Sequence, residues 1–410
     1  MNLFFPNPRI HRRMHDGPLG AYVDSYAAEL RAEGYARYTA VLQIRLVADF
    51  SRWLAKRRVK AREIAAEHCQ SYLRCRARVR RPNRADSPAL KRLLNLLLRQ
   101  GVIHRLPLPA ATPAAQLQDK YRVYLQQERS LAPTTVICYL PFVGEFLAER
   151  FGAGPVDLSS LRAAAVTGFI QRRAASFRSI RVQLMTTALR SFLRFARYRG
   201  DLKTDLAACV PAVANWSLST IPRALPPEQV ERALASCTRQ TAVSRRDYAI
   251  LLLLARLGLR AGEIVTLTLD DLDWQAGLIT LRGKGSRHSQ LPLPVDVGEA
   301  IADYLRNGRP HATSRCVFLR ANAPIVRFKG PAAICCVVRR ALKRAGIDSP
   351  RKGAHQFRHG LACQMLRQGA TLAEIGELLR HRSSDTTAIY AKVDITSLAT
   401  LALPWPGGAL

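Results

Sequence analysis

Proline divides this chain before any long helix can be drawn through it. It recurs in Leu106–Pro113 (LPLPAATP) and again across Val210–Pro227 (VPAVANWSLSTIPRALPP), and in neither stretch does an apolar period survive. The pyrrolidine ring fixes φ and removes an N–H, so a continuous helix or a central strand cannot cross such segments. The pieces that result are residues 1–110, 114–209 and 226–393, with a linker at 210–225 and a tail at 394–410. At 410 residues the chain exceeds what one core usually holds. Its 48% hydrophobic content supplies material for several.

The first two pieces share a pattern. Tyr26, Leu30, Thr39, Phe50 and Leu54, followed by LKRLLNLLLRQG, parallel Tyr121, Leu125, Thr135, Phe146 and Leu147, followed by ALRSFLRFARYRG. Apolar residues recur at helical spacing in both (Leu93, Leu94, Leu97; Phe192, Phe195, Ala196), and Gly101 and Gly200 stand where a helix would end. Either a helical module has been duplicated or two bundles share a pattern. On both readings two small, all-α, basic domains precede the third piece.

The third piece mixes helix and strand. Arg246–Gly258 reads as a buried helix stopped by glycine, and Ala261–Leu267 starts another. Gly277–Leu281 and Gln290–Leu293 flank RGKGSRHS as a hairpin with glycines at its tip. Helices are expected at Val295–Arg306, Pro331–Ala345, His355–Gln368 and Thr371–Leu379, the last opened by a capping box of Thr371 and Glu374. The fold expected is therefore mainly α with a small β-sheet in its last domain.

Charge points to the partner. A formal net charge of +33 repels itself unless a polyanion neutralises it, which favours nucleic acid over an anionic membrane or a ribosomal-type scaffold role. No apolar run approaches the ~20 residues that span a bilayer; the longest, Ala249–Ala255, is far shorter. The start, MNLFFPNPRIHRR, lacks the charged-then-apolar order of a signal peptide, so a cytoplasmic protein is expected. The first 110 residues hold 22 Lys/Arg against 8 Asp/Glu, and within them Arg74, Arg76, Arg78, Arg80, Arg81 and Arg84 form one run suited to phosphate contacts. Nine cysteines without a C-x-x-C pair suit buried positions in a reducing compartment, and no structural metal is expected.

Six residues of the third piece stand where packing alone does not ask for them. Arg260 lies at a helix break (LGLRAGE) and Lys284 at the hairpin tip (RGKGSR). His355 and Arg358 share a helix face at i, i+3 (HQFRH). His381 ends a helix (ELLRHRSS), and Tyr390 follows in SSDTTAIYAKV. Singly each is ordinary; their order, closed by TT-x-x-Y, is not.

The set resembles the catalytic domain of tyrosine recombinases, the family of phage integrases and Xer-type enzymes. The resemblance is strong over Pro226–Val393 and weaker over Tyr121–Leu202, which is similar to the family's helical core-binding domain. It implies that Tyr390 attacks a scissile phosphate, forms a 3′-phosphotyrosine link and releases a 5′-hydroxyl. Arg260 and Arg358 then suit the charge gathering on the non-bridging oxygens, because guanidiniums bind such oxygens in pairs and stay charged. Lys284, between Gly283 and Gly285, is the candidate general acid for the leaving oxygen, with Arg287 beside it as a DNA contact. His355 is the candidate base for Tyr390, His381 a hydrogen-bond donor to the phosphate, Glu263 a support for Arg260, and His359 a neighbour without a chemical step.

A covalent protein–DNA ester keeps the phosphodiester energy, so rejoining requires no nucleotide and no metal; no cofactor is expected. The partners implied are double-stranded DNA sites, a homotetramer on two paired sites and, in some settings, sister recombinases. The function expected is site-specific breakage and rejoining in integration, excision or transposition of mobile DNA. Alternatives are a catalytically silent DNA-binding protein of this fold and a type IB-like relaxing enzyme. One departure stands out: many family members carry glycine where this chain has Arg380, directly before His381. The tail, with Ile395, Leu398 and Leu401 on one face, suits docking on a neighbouring subunit.

Overall fold

The computed structural model describes residues 4–5, 7–104, 112–214, 224–283, 288–349, 352–381 and 383–393. Chain contacts divide it into two compact units, residues 1–104 together with 221–410, and residues 105–220.

The N-terminal module opens with α1 (Pro8–Met14), then α2 (Val23–Ala32), α3 (Arg37–Lys56), α4 (Ala66–Ala77) and α5 (Asp86–Arg99). The second unit runs α6 (Pro113–Gln127), α7 (Pro133–Phe151), α8 (Ala163–Ala174) and α9 (Ser179–Tyr198). From α2 onward the two follow one plan: a helix, a long helix, a 3₁₀ turn, a 12-residue helix and a closing helix. The buried positions correspond as well. Tyr26 and Tyr121 are both fully buried, and each donates its hydroxyl to an alanine carbonyl of the closing helix, Ala89 at 3.1 Å and Ala188 at 3.4 Å. From those alanines the buried positions keep step: Ala89, Leu90, Leu93, Leu96 and Leu97 against Ala188, Leu189, Phe192, Phe195 and Ala196. Gly101 and Gly200 end the two helices at φ +68° and +81°, a conformation glycine adopts without a Cβ clash.

Residues 224–393 hold α10 (Pro227–Ala235), α11 (Ala242–Arg256), α12 (Ala261–Thr266), β1 (Leu272–Asp273), β2 (Leu278–Arg282), β3 (His288–Pro292), α13 (Val295–Asn307), α14 (Ala332–Arg344), α15 (His355–Arg367), α16 (Leu372–Leu378) and α17 (Ser384–Ala388). The strands form an antiparallel sheet in the order β1-β2-β3, with Arg282 opposite His288 at the mouth of the hairpin. The fold is thus mainly helical with one small sheet. Helix α11 is the centre of the core: Ala249–Ala255 are all buried, because packed helices surround it and leave it no solvent face. It begins four residues earlier than its apolar pattern shows, because Thr241 and Ser244 cap its polar first turn. Thr371 accepts from the Glu374 N–H while Glu374 accepts from the Thr371 N–H, so the expected capping box is present. Strand β1 and helix α17 went unforeseen; a two-residue strand and a five-residue helix are too short to show a period. Among the described residues no helix is long and apolar enough to cross a membrane.

Candidate active site

The site begins at a chain break. Helix α11 ends before Gly258, which turns at φ +57°, a left-handed conformation that favours glycine, and a Cβ there would crowd Leu379 Cδ2 at 2.7 Å. The break frees the Gly258 carbonyl, which accepts from Arg358 Nη1 at 2.5 Å. The second Arg358 nitrogen, Nη2, donates to the Leu379 carbonyl. Arg358, on α15, is buried, and a buried guanidinium is tolerated only with such acceptors. Burial first, and then the Arg260 and Arg380 guanidiniums, push its pKa down to about 10. It stays charged at neutral pH.

Arg260 stands at the N-cap of α12, with its side chain open to solvent along one edge. Glu263, one turn on and buried, accepts from the Arg260 N–H at 2.8 Å and from Nη1 at 2.9 Å. The other partner of this carboxylate is Arg380, whose Nη2 lies 2.9 Å from Glu263 Oε2. Arg260 Nη2 in turn donates to the Arg380 carbonyl at 3.4 Å. Arg380 itself holds φ +54°. Its N–H bonds Glu377 O and the His381 N–H bonds Gly376 O, both at 2.9 Å, which is the paired closure that ends a helix on a left-handed residue. In that conformation a residue other than glycine costs about 1–3 kcal/mol.

The tyrosine side is built differently. Tyr390 follows α17 and is 1% exposed, packed with Ala362, Cys363, Ile375 and Leu379. Its hydroxyl lies 3.0 Å from His359 Nδ1. Burial raises its pKa to about 12 while Arg358 and Arg260 pull the other way. The His381 ring lies parallel to that of Tyr390, 6.3 Å between centroids, and its Nδ1 is 2.7 Å from Thr387 Oγ1. Burial, then the charges of Arg358 and Arg260, lower the His381 pKa to about 4, so the ring is neutral at physiological pH. His355 opens α15 and is exposed; partial desolvation, then Arg358 and Arg260, lower its pKa. A cleft of about 920 Å³ is lined by Arg260, Glu263, Gly283, Arg380 and His381.

The structure therefore brings Arg260, Glu263, Arg358, His381 and Tyr390 together. It is His359 that touches the Tyr390 hydroxyl, while His355, the expected base, sits one helical turn away with 6.1 Å between the two rings. The signal was present in HQFRHG, where both histidines share the i, i+4 face. The contact of Thr387, in TTAIY, with His381 and the bond of Arg380 to Glu263 were likewise unforeseen. Lys284 and Arg287 lie outside the described residues, as does the tail 394–410. In the arginine run, Arg74, Arg78, Arg80, Arg81 and Arg84 are exposed, but Arg76 is turned inward, 3.2 Å from Asp86 and 3.6 Å from Asp49. It ties α4 to its neighbours and is not placed for a phosphate. Among the described residues one group has metal-site spacing, His11, His15 and Asp24; the His15 bonds to the His11 carbonyl and to Asp24 already occupy both nitrogens of its ring.

The Phage integrase family matches residues 223–396, the segment that holds every residue of this cluster. The protein named "Putative integrase/recombinase y4rA" of Sinorhizobium fredii is 51% identical over 399 residues, covering 97% of each chain. The chain belongs to the phage integrase family of tyrosine recombinases. The tyrosine recombinase XerA of Pyrococcus furiosus is a more distant relative, 28% identical over 69% of this chain and 91% of its own. The fold agrees with that of a XerH site-specific recombinase bound to a palindromic difH substrate after cleavage (TM-score 0.56, 17% identity, 74% of this chain and 99% of that one). It agrees similarly with a lambda integrase dimer bound to a core site (TM-score 0.52, 15% identity, 72% and 98%). As a member of this family the chain is a site-specific DNA recombinase, an enzyme that cleaves and rejoins DNA strands.

Proposed function

We propose that Tyr390 is the nucleophile and that Arg260 and Arg358 hold the scissile phosphate. The observation that carries this is the clustering of Arg260, Arg358, His359, His381 and Tyr390, of which Arg260 and His381 line the cleft and Arg358 and Tyr390 are buried beside them. The Tyr390 oxygen forms a bond to phosphorus as the P–O5′ bond breaks, giving a 3′-phosphotyrosine and a 5′-hydroxyl. His359 Nδ1 is the nearest acceptor for the phenolic proton. His355, exposed and in the field of Arg358, is the second imidazole within reach of the reaction, and His381 donates to the phosphate from the nitrogen that Thr387 leaves free. Glu263 orients Arg260. The mouth of the β2–β3 hairpin borders the cleft through Gly283, which supports Lys284 as the acid for the leaving oxygen. A tyrosine 1% exposed reaches a DNA phosphate only after α17 and its flanks move.

The charge that a transition state gathers is met by guanidiniums, so the reaction requires neither metal nor nucleotide. The enzyme acts in the cytoplasm as a tetramer on two paired duplex sites, in integration, excision or transposition of mobile DNA, alone or with sister recombinases. Residues 1–110 act as an additional DNA-gripping domain, with 114–209 as the core-binding domain. Arg74, Arg78, Arg80, Arg81 and Arg84 are the phosphate contacts of residues 1–110; replacing any one of them should flatten the slope of log Kd against log salt by roughly 0.9 for each phosphate it neutralises.

The test is DNA nicked next to the cleavage point, which traps the covalent complex on a denaturing gel. Wild-type protein should form it with EDTA present, and Tyr390→Phe should bind the DNA without forming it. A persisting adduct in Tyr390→Phe, or its loss in EDTA, refutes the proposal.

A further inference from the structure

Arg380 occupies a backbone position that suits glycine, and its side chain turns back into the site. Its guanidinium is almost buried and bonds Glu263 Oε2 at 2.9 Å and the Leu378 carbonyl at 3.1 Å. Glu263 is the same carboxylate that holds Arg260, through Oε1 to Nη1 at 2.9 Å and through Oε2 to the backbone N–H at 2.8 Å. Arg380 thus meets Arg260 twice, through the shared carboxylate and through its own carbonyl.

The charges explain what the second arginine changes. Glu263 and Arg260 alone form a neutral pair, and a guanidinium so paired presents little net charge to an incoming phosphate. With Arg380 on the same carboxylate the trio carries +1, before Arg358 is counted. The carboxylate still fixes the Arg260 fork through Oε1, but its charge is matched by Arg380 at Oε2. Glu263 and Arg380 both line the cleft that Arg260 enters.

We infer that Arg380 is a positioning residue: it neutralises Glu263 through the carboxylate's second oxygen, so that Arg260 stays oriented by the carboxylate yet gives its charge to the scissile phosphate. This rests on the reading that Arg260 binds that phosphate.

The full-length protein tests it through Arg380→Gly, a change that relieves the left-handed backbone and so should preserve folding. Covalent-complex formation is timed at saturating nicked DNA, once with an ordinary scissile phosphate and once with an uncharged methylphosphonate there. Arg380→Gly should bind DNA with an unchanged salt slope and react about tenfold to a hundredfold more slowly on the phosphate. On the methylphosphonate the deficit should shrink to within about threefold, because no phosphate charge remains to be met. Arg380→Lys should recover part of the rate, and adding Glu263→Gln to Arg380→Gly should recover more, since the charge to be neutralised has gone. A wild-type rate in Arg380→Gly overturns the inference. So does an equal deficit on both substrates, or a salt slope reduced by about one, the mark of a direct phosphate contact. If the wild-type protein forms no adduct on either substrate, the recombinase reading fails and this inference falls with it.

Discussion

The two sides of the site are in opposite states. On the clamp side Arg260, Glu263 and Arg380 are bonded to one another and Arg358 is bonded to the carbonyls of Gly258 and Leu379, so the cations are in place before any DNA arrives. On the other side Tyr390 is enclosed, its pKa raised to about 12, its hydroxyl held by His359. On the function proposed above, the phosphate site is preorganised and the nucleophile is withheld. Cations fixed in advance need no reorganisation as charge develops, which is where their catalytic value lies. A protonated, buried phenol, in contrast, is harmless to DNA that is not correctly bound.

Removing the clamp should have the largest effect. Arg358→Ala should lower the rate of covalent-complex formation by about a thousandfold. It should also cost about 1–2 kcal/mol in a urea melt, because two buried carbonyls lose their donor while an unfavourably buried charge is removed. A full-rate Arg358→Ala would show that the clamp is not where the phosphate sits. His359→Ala comes next: losing the imidazole on Tyr390 should slow single-turnover cleavage by about a hundredfold. His355→Ala, measured beside it, shows which imidazole takes the proton; if His355→Ala is the slower of the two, the DNA-bound site pairs Tyr390 differently from the free one.

The smallest effect is on stability against pH. The folded-state pKa of His381, about 4, lies below its ordinary 6.5, and that of His355 shifts the same way. The unfolded chain therefore takes up protons first. Stability from these groups is complete above pH 6.5 and is lost as pH falls toward 4. Thermal melts over that window should show a falling midpoint, and His381→Asn should flatten the fall. An unchanged slope in His381→Asn would mean that the ring is not held neutral by its burial and the neighbouring arginines.

What the sequence disclosed follows from how far each interaction reaches along the chain. The two helical modules were legible because Tyr26 and Tyr121, Gly101 and Gly200, and the apolar rows between them obey a local period. The chemistry was legible as an order of residue types, from Arg260 to Tyr390. Its pairings were not. His359 and Tyr390 are 31 residues apart and Arg380 and Glu263 are 117 apart, and nothing local distinguishes these partners from His355 or from a solvated arginine. Arg76 shows the converse: one residue of a uniform arginine run is drawn inward because Asp49 and Asp86 lie across from it in the fold.

The most direct test of the central claim is the identity of the residue joined to DNA. Trypsin cleaves after Arg382 and Lys392, so the adduct formed on nicked DNA should yield Ser383–Lys392 (SSDTTAIYAK), in which Tyr390 is the only tyrosine. Mass spectrometry should find the 3′-nucleotide on that peptide, with fragmentation placing it on Tyr390. A nucleotide on any other peptide, or on a serine or threonine of this one, would contradict the account.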